Sequence, residues 1–222
     1  MKYSVERGRT GTMPQRVALL FIMIVARVLL VSCLGVDVTV SFGKDGAGTI
    51  TQTYTLSPEL AGFGSSAYDT PQLALPLTKA EIEAGLNGFG NLKLTSYTRK
   101  DSSKNTVITF SISFDSPDAL AAYLDAGSSM VRYAREGDMH RISFAAGSAI
   151  PLLDSRTIEE AKTGLEGYVF RLAVSAPVQA TASVEGAGNI TVRNNGNRAE
   201  ISAAMKDILL SPTPMSASII WK

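Results

Sequence analysis

Residues 36–56 read Val-Asp-Val-Thr-Val-Ser-Phe-Gly-Lys-Asp-Gly-Ala-Gly-Thr-Ile-Thr-Gln-Thr-Tyr-Thr-Leu. They have the clearest β-strand pattern of the chain. Apolar and polar side chains alternate through residues 36–42 and again through residues 49–56, which is typical of strands with one buried face. Residues 43–46 between them favour a turn. Threonines on one face of the second strand, with Ile50, Tyr54 and Leu56 on the other, predict a β-hairpin with one solvated side.

The same pattern recurs twice. Residues 92–99 and 107–114 flank a polar turn, and residues 130–135 and 138–145 flank Glu136-Gly137. In the second hairpin, Phe110 and Ile112 are expected to be among the most buried residues of the protein. An ancestral duplication and the shared rules for starting a helix after a strand both explain the recurrence, and the sequence does not separate them.

Short helices are predicted after these hairpins. Ser57-Pro58-Glu59 and Ser116-Pro117-Asp118 each combine an N-cap residue, a proline at the first helical position and an acid in the first turn. Thr78 and Glu81 form a capping box before a third helix. A fourth helix is predicted over about residues 155–166.

The C-terminal part is predicted to be mostly strand, at residues 168–175, 178–184, 189–193 and 198–203 and in a last strand ending at Trp221. Residues 186–188 and 194–197 are predicted hairpin turns, and a short helix is predicted near residues 205–210. No linker-like run divides the chain. The expected fold is therefore a single α+β domain over residues 33–222, with antiparallel sheets of β-hairpins packed with about four short helices.

Residues 1–32 have the features of a secretory signal peptide: basic residues, an apolar stretch from residue 17, and a small residue before a cysteine. Leu30-Val31-Ser32-Cys33 resembles the lipobox of bacterial lipoproteins. The resemblance implies that Cys33 carries the lipid and that the leader is cut before it. Arg27 interrupts the apolar stretch, and the alternatives are an uncleaved membrane anchor across residues 17–35 and a cysteine that stands there by coincidence. Translation from Met13 instead of Met1 would shorten the region before the apolar stretch.

Residues 33–222 keep 16 basic and 19 acidic side chains, a net charge of −3, which offers no electrostatic basis for nucleic acid binding. The chain has one cysteine, Cys33, and one histidine, His140. An intramolecular disulfide is impossible, and a zinc site with the usual ligands is not expected. We expect no cofactor, no metal and no catalytic residue, and His140 is interpreted as a surface or edge-strand histidine.

Three local patterns resemble catalytic or ligand-binding motifs. Lys162-Thr163-Gly164 matches a triplet of penicillin-binding enzymes, but it lies in a predicted helix. Asp45-Gly46-Ala47-Gly48 lacks the further residues of a calcium loop or a phosphate loop, so a hairpin turn is expected. The carboxylates of Glu81/Glu83 and Glu159/Glu160 are spaced for solvated helix faces, not for an acid/base pair.

Residues 61–77 form a long, apolar segment that contains two prolines and few charges. Loops of this length usually carry function or move. This segment has three possible interpretations: a flap that covers the core, a lip over an apolar pocket, or a membrane contact. The candidate ligand-binding residues are Phe63, Tyr68, Leu73 and Leu75.

Some short features share their order with a known family. They are Cys33, the strand at residues 36–42, the turn Asp45-Gly46-Ala47-Gly48, Ala176-Pro177, and Ile219-Ile220-Trp221. Together they resemble the LppM-type envelope lipoproteins of actinobacteria. The resemblance implies an exported protein, lipid-anchored to the outer membrane or to the outer face of the cytoplasmic membrane, whose partners are the membrane and a lipid or glycolipid.

The expected function is that of a non-enzymatic envelope lipoprotein that binds an apolar or lipid-like ligand or scaffolds envelope components. The alternative is a surface-exposed adhesin or protein-interaction lipoprotein. A deep apolar cavity under residues 61–77 would favour the first, and a filled core with an exposed patch would favour the second.

Overall fold

A computed structural model describes residues 34–57, 76–125, 131–146, 158–159, 162–163, 165–186, 189–211 and 215–222. Strands hold 57% of these residues, in two sheets with eleven strands in total, so the fold is predominantly β. The predicted α+β class is therefore wrong. Most of the strands were expected, but the three continuous helices of the described part are only eight, nine and five residues long.

The elements in chain order are β1 (Leu34–Phe42), β2 (Gly48–Leu56), α1 (Lys79–Leu86), β3 (Leu92–Asp101), β4 (Thr106–Phe114), α2 (Pro117–Asp125), β5 (Val131–Glu136), β6 (Met139–Ala146), β7 (Val169–Ser175), β8 (Ala180–Glu185), β9 (Ile190–Asn195), β10 (Arg198–Ala204), α3 (Met205–Leu209) and β11 (Met215–Trp221). The three predicted hairpins are confirmed as β1–β2, β3–β4 and β5–β6.

The larger sheet has seven strands in the order β3-β4-β2-β1-β7-β10-β9. Only the β1–β7 pair is parallel; the other described pairs of this sheet are antiparallel. Gly48 is the first residue of β2. A larger residue would not fit there, because a Cβ atom would collide with the carbonyl oxygen of Ser41 and with the ring of Phe114. The hairpin therefore closes tightly at this end of the sheet.

The smaller sheet has four antiparallel strands in the order β5-β6-β11-β8. The predicted hairpin at residues 186–188 is wrong, because β8 belongs to this sheet and β9 belongs to the larger one. The side chain of Asn194 joins the two sheets: its Oδ1 accepts a hydrogen bond from the Ala182 amide at 2.7 Å, and its Nδ2 donates to the Ala182 carbonyl at 3.2 Å. The predicted turn at residues 194–197 is confirmed between β9 and β10.

The predicted helix starts that fall on described residues are confirmed. In α1, Thr78 Oγ1 accepts from the Glu81 amide at 3.2 Å and Glu81 Oε2 accepts from the Thr78 amide at 2.9 Å, which completes the capping box. Before α2, Ser116 Oγ accepts from the Ala119 amide at 3.2 Å. Residues 158–159 and 162–163 are helical, within the predicted fourth helix. The predicted helix after Ser57-Pro58-Glu59 lies outside the described residues.

One core connects the facing sides of both sheets and the buried faces of α1 and α2. Phe110 and Ile112 are fully buried, as expected. On the opposite side of the larger sheet, hydroxyl pairs link neighbouring strands, with Thr51 Oγ1 at 2.9 Å from Ser111 Oγ and Thr53 Oγ1 at 3.0 Å from Thr109 Oγ1. The predicted polar face of β2 is thereby confirmed.

Candidate functional site

The lipobox residues Leu30-Val31-Ser32-Cys33 lie outside the described residues, so acylation of Cys33 stays a prediction. The structure shows where such an anchor would join the fold. Strand β1 begins at Leu34, the residue after Cys33, and Leu34 pairs with Leu56, which pairs in turn with Thr106. We call this end of the seven-stranded sheet the anchor end.

The candidate ligand-binding residues Phe63, Tyr68, Leu73 and Leu75 also lie outside the described residues. The residues on either side of residues 58–75 are described. On the N-terminal flank, Leu56 and Ser57 are buried. On the C-terminal flank, Leu77 is buried, its amide donates to Glu81 Oε2 at 2.8 Å, and its carbonyl oxygen accepts from the Tyr97 hydroxyl at 2.7 Å. The described chain therefore stops at Ser57, at the anchor end, and resumes at residue 76, where Leu77 binds Tyr97 of β3.

The remaining part of the anchor end carries an apolar side chain in solvent. Gly35 lies beside Tyr168 and the backbone of Val169. Val169 opens β7, and 48% of its surface is exposed. Behind it, Leu165, Met205 and Leu210 form a small second core with Tyr168 and Phe170 packed against it.

The opposite end of the sheet, the distal end, is built from aromatic rings. Phe42 at the end of β1 stacks on Trp221 with ring centroids 4.3 Å apart and an interplanar angle of 16°. Trp221 also stacks with His140, with ring centroids 5.3 Å apart and an interplanar angle of 14°. We call these three residues the aromatic column. It joins β1 of the larger sheet to β11 and β6 of the smaller one.

Tyr133 on β5 completes the distal end, since its hydroxyl lies 2.7 Å from Nδ1 of His140. Burial, and then the positive charge of Arg135, lower the pKa of His140, while Asp118 and Asp138 oppose this. Burial, and then Asp118, raise the pKa of Tyr133. The pair is thus held as neutral phenol and neutral imidazole near pH 7.

From the sequence, His140 is interpreted as a surface or edge-strand residue. It lies on a strand and is partly exposed, but β6 is an internal strand of its sheet, so the edge-strand part of the interpretation is wrong. Sequence reasoning also missed the roles of Tyr133 and Trp221. The available signal was the alternation that puts His140 and Ile142 on the same face of β6; nothing local predicts that β6 pairs with β11.

The three motif-like patterns have ordinary structural roles. Lys162 and Thr163 are helical, and both bind Glu159, through the Lys162 ammonium at 2.6 Å and the Thr163 hydroxyl at 3.1 Å. Asp45 accepts a hydrogen bond from the Ala47 amide at 3.2 Å inside the β1–β2 turn, as a hairpin turn requires. The Glu81 carboxylate is used by the capping box.

In the described ranges, no three histidine, cysteine or acidic side chains come together in a way that could hold a metal ion. Nor is any helix of these ranges long and apolar enough to cross a membrane.

No family model and no curated protein matches this sequence. Among solved structures, the chain is similar to the folded domain of LppM from Mycobacterium tuberculosis, determined by NMR. The TM-score is 0.41 with 14% sequence identity, over 83% of this chain and 88% of that one. The expected resemblance to LppM-type proteins is thus supported in part, as a weak structural similarity.

Proposed function

We propose that the protein is a non-enzymatic envelope lipoprotein, acylated at Cys33, whose anchor end contacts the membrane or a lipid-like ligand. One observation carries this proposal: the first strand of the larger sheet begins at the residue that follows Cys33. The resemblance to a lipobox indicates how a lipid would be attached to Cys33. The position of β1 indicates which end of the larger sheet would face the membrane.

The orientation follows from chain geometry. One residue spans at most about 3.6 Å, so a lipid on Cys33 leaves the anchor end within a few ångströms of the headgroups. Strand β1 has nine residues, so eight steps of about 3.3 Å put its last residue about 26 Å from its first. The anchor end therefore faces the membrane, and the aromatic column faces away from it.

The apolar segment supports lipid contact at the same end. Ser57, the last described residue before the segment, lies next to the Leu56–Leu34 pair. The chain therefore enters the segment from the anchor end, and Phe63, Tyr68, Leu73 and Leu75 are its proposed contact residues. Apolar surface that enters the acyl region contributes roughly 25 cal/mol per Å², so a few such side chains add appreciable affinity to that of the anchor.

The chemistry of the chain supports a non-enzymatic role. Its only cysteine is assigned to the lipid, and its only histidine, His140, packs on Trp221 and bonds Tyr133. General acid–base or nucleophilic catalysis needs such a group beside a reacting atom. Here the histidine packs against two residues of its own sheet, Tyr133 on β5 and Trp221 on β11.

Metabolic labelling with a fatty-acid analogue tests the anchor. Cells that make the parent protein should give a labelled band, and Cys33→Ala should give none, because the variant has no thiol to acylate. Ser41→Ala, which leaves the lipobox intact, is the matched control and should keep the label. Equal labelling of the parent and Cys33→Ala would exclude acylation at Cys33.

A further inference from the structure

The aromatic column contains the only histidine and the only tryptophan of the chain. Trp221 is 3% exposed and lies between Phe42 and His140, with both ring pairs nearly parallel. A change in the charge of His140 therefore acts on its partner in the same sheet, Trp221, and through Trp221 on the stack with Phe42 that joins the two sheets. The same indole reports on it spectroscopically.

A proton on His140 changes the polar contact as well as the stacking. The neutral ring can accept the Tyr133 hydroxyl proton at Nδ1, where the separation is 2.7 Å. A protonated Nδ1 is a donor only, so the Tyr133 hydroxyl must turn and direct its proton elsewhere. Stacking of the cation on Trp221 offsets part of this cost.

The charged groups around the ring come from three directions. Arg135 on β5 disfavours a second positive charge, whereas Asp118 on α2 and Asp138 in the β5–β6 turn favour it. Lys222 lies 3.9 Å from Asp138 and offsets part of that negative charge. Burial is the largest influence, and it acts against the charged ring.

We propose that His140 is a proton-sensitive contact within the smaller sheet, and that its protonation disturbs Trp221 and thereby weakens the packing of Trp221 on Phe42 of the larger sheet. The proposal is independent of the lipid function. Because the pKa of His140 in the folded protein lies below its usual value of 6.5, the unfolded chain binds the proton more readily. The stabilising contribution of neutral His140 is complete above pH 6.5 and is lost as the pH falls from there through the folded pKa.

This contact would act on one end of the molecule only, because the chain has no second histidine to titrate in the same range. Mild acid is therefore expected to loosen β5, β6 and β11 near Trp221. The anchor end should stay unchanged.

Tryptophan fluorescence of the full chain in detergent, titrated from about pH 8 to about pH 5, tests the proposal. A protonated imidazole quenches a stacked indole, so we expect a one-proton transition with a midpoint below 6.5. His140→Phe keeps a ring on Trp221 without a proton site and should abolish the transition. His140→Gln is the second variant, with the same expectation, if the phenylalanine does not fit.

Tyr133→Phe is the matched control, because it disturbs the same contact but keeps the titrating ring. Its transition should persist with a shifted midpoint. In addition, the urea midpoint of the parent should fall more between about pH 7.5 and about pH 5 than that of His140→Phe. The proposal is overturned if the parent shows no transition, if its midpoint is at or above 6.5, or if the transition survives in both His140 variants.

Discussion

The anchor end and the distal end of the larger sheet are stabilised in different ways. Between the middle of the larger sheet and its anchor end, polar side chains are satisfied by hydrogen bonds, as where the Tyr54 hydroxyl donates to Gln52 Oε1 at 2.9 Å and the Tyr97 hydroxyl, in the middle of β3, donates to the Leu77 carbonyl at 2.7 Å. At the distal end, Phe42, Trp221 and His140 stack face to face across the two sheets.

This difference relates to what each end has to do. Hydrogen bonds are directional, and those at Leu77 hold one flank of a long apolar segment in a defined place. Stacked rings bury a large area and hold two sheets together without fixing a particular loop. The hydrogen bonds at Leu77 are therefore suited to fix the flank of a segment, and the distal end is suited to close the core.

The largest expected effect comes from the core that both ends share. Phe110 is fully buried and packs edge-on against Tyr54, with ring centroids 5.6 Å apart. Phe110→Ala should lower the free energy of unfolding by about 3–5 kcal/mol, because it removes apolar contacts and leaves a cavity. Thr109→Ala, on the solvated face of the same strand, should cost about 1 kcal/mol or less.

Urea unfolding of Phe110→Ala, followed by Trp221 fluorescence and by far-ultraviolet circular dichroism, measures this effect. Since Trp221 lies at the distal end, coincident transitions would show that both ends depend on one core. A fluorescence transition that separates from the circular dichroism transition would mean that the two ends unfold independently. An unchanged midpoint would contradict the position of Phe110 in the core.

Local patterns were enough to predict most of the strands and two helix starts. Alternation in residues 36–56 and 107–114 reports which face is buried, and the Thr78–Glu81 box reports where a helix begins, because both depend on neighbouring residues. The parallel β1–β7 pair and the change of sheet between β8 and β9 depend on contacts between distant residues. The α+β class was wrong for a related reason: helix start signals say little about helix length.

The two ends differ in the same respect as candidate sites. The anchor end was predicted from a contiguous motif, Leu30-Val31-Ser32-Cys33, and from a contiguous apolar segment. The distal end combines Phe42, His140 and Trp221 from three separate strands. No run of neighbouring residues contains that arrangement, so only strand pairing shows it.

An intermediate effect is expected from charges placed in the apolar segment. In the unlipidated chain from residue 34 onward, Phe63→Asp and Leu75→Asp should each weaken binding to lipid vesicles about tenfold, or about 1.4 kcal/mol, because a carboxylate resists entry into the acyl region. The melting temperature should change little. Vesicle flotation and thermal unfolding on the same samples measure both quantities.

Asn197→Asp is the matched control for these variants. It adds the same charge in the exposed turn between β9 and β10, which is at the distal end, and it should leave vesicle binding almost unchanged. A large loss of thermal stability with unchanged vesicle binding would instead identify the segment as a covering flap over the core. No affinity of the parent for any vesicle composition would remove the lipid proposal.

The smallest expected effect compares the same chemical change in the middle of β3, beside Leu77, and at the distal end. Tyr97→Phe removes the hydroxyl that donates to the Leu77 carbonyl, and it should lower the free energy of unfolding by about 1 kcal/mol. Burial raises the pKa of Tyr97, so the hydroxyl stays protonated and the bond should persist across neutral pH. Tyr133→Phe removes a hydroxyl at the distal end instead.

In hydrogen exchange, Tyr97→Phe should expose the amides of residues 77–81, and Tyr133→Phe should expose those near His140. If each variant loosened both regions equally, the two regions would form one cooperative unit. The difference between the hydrogen-bonded part of the sheet and the stacked distal end would then not correspond to a difference in local stability.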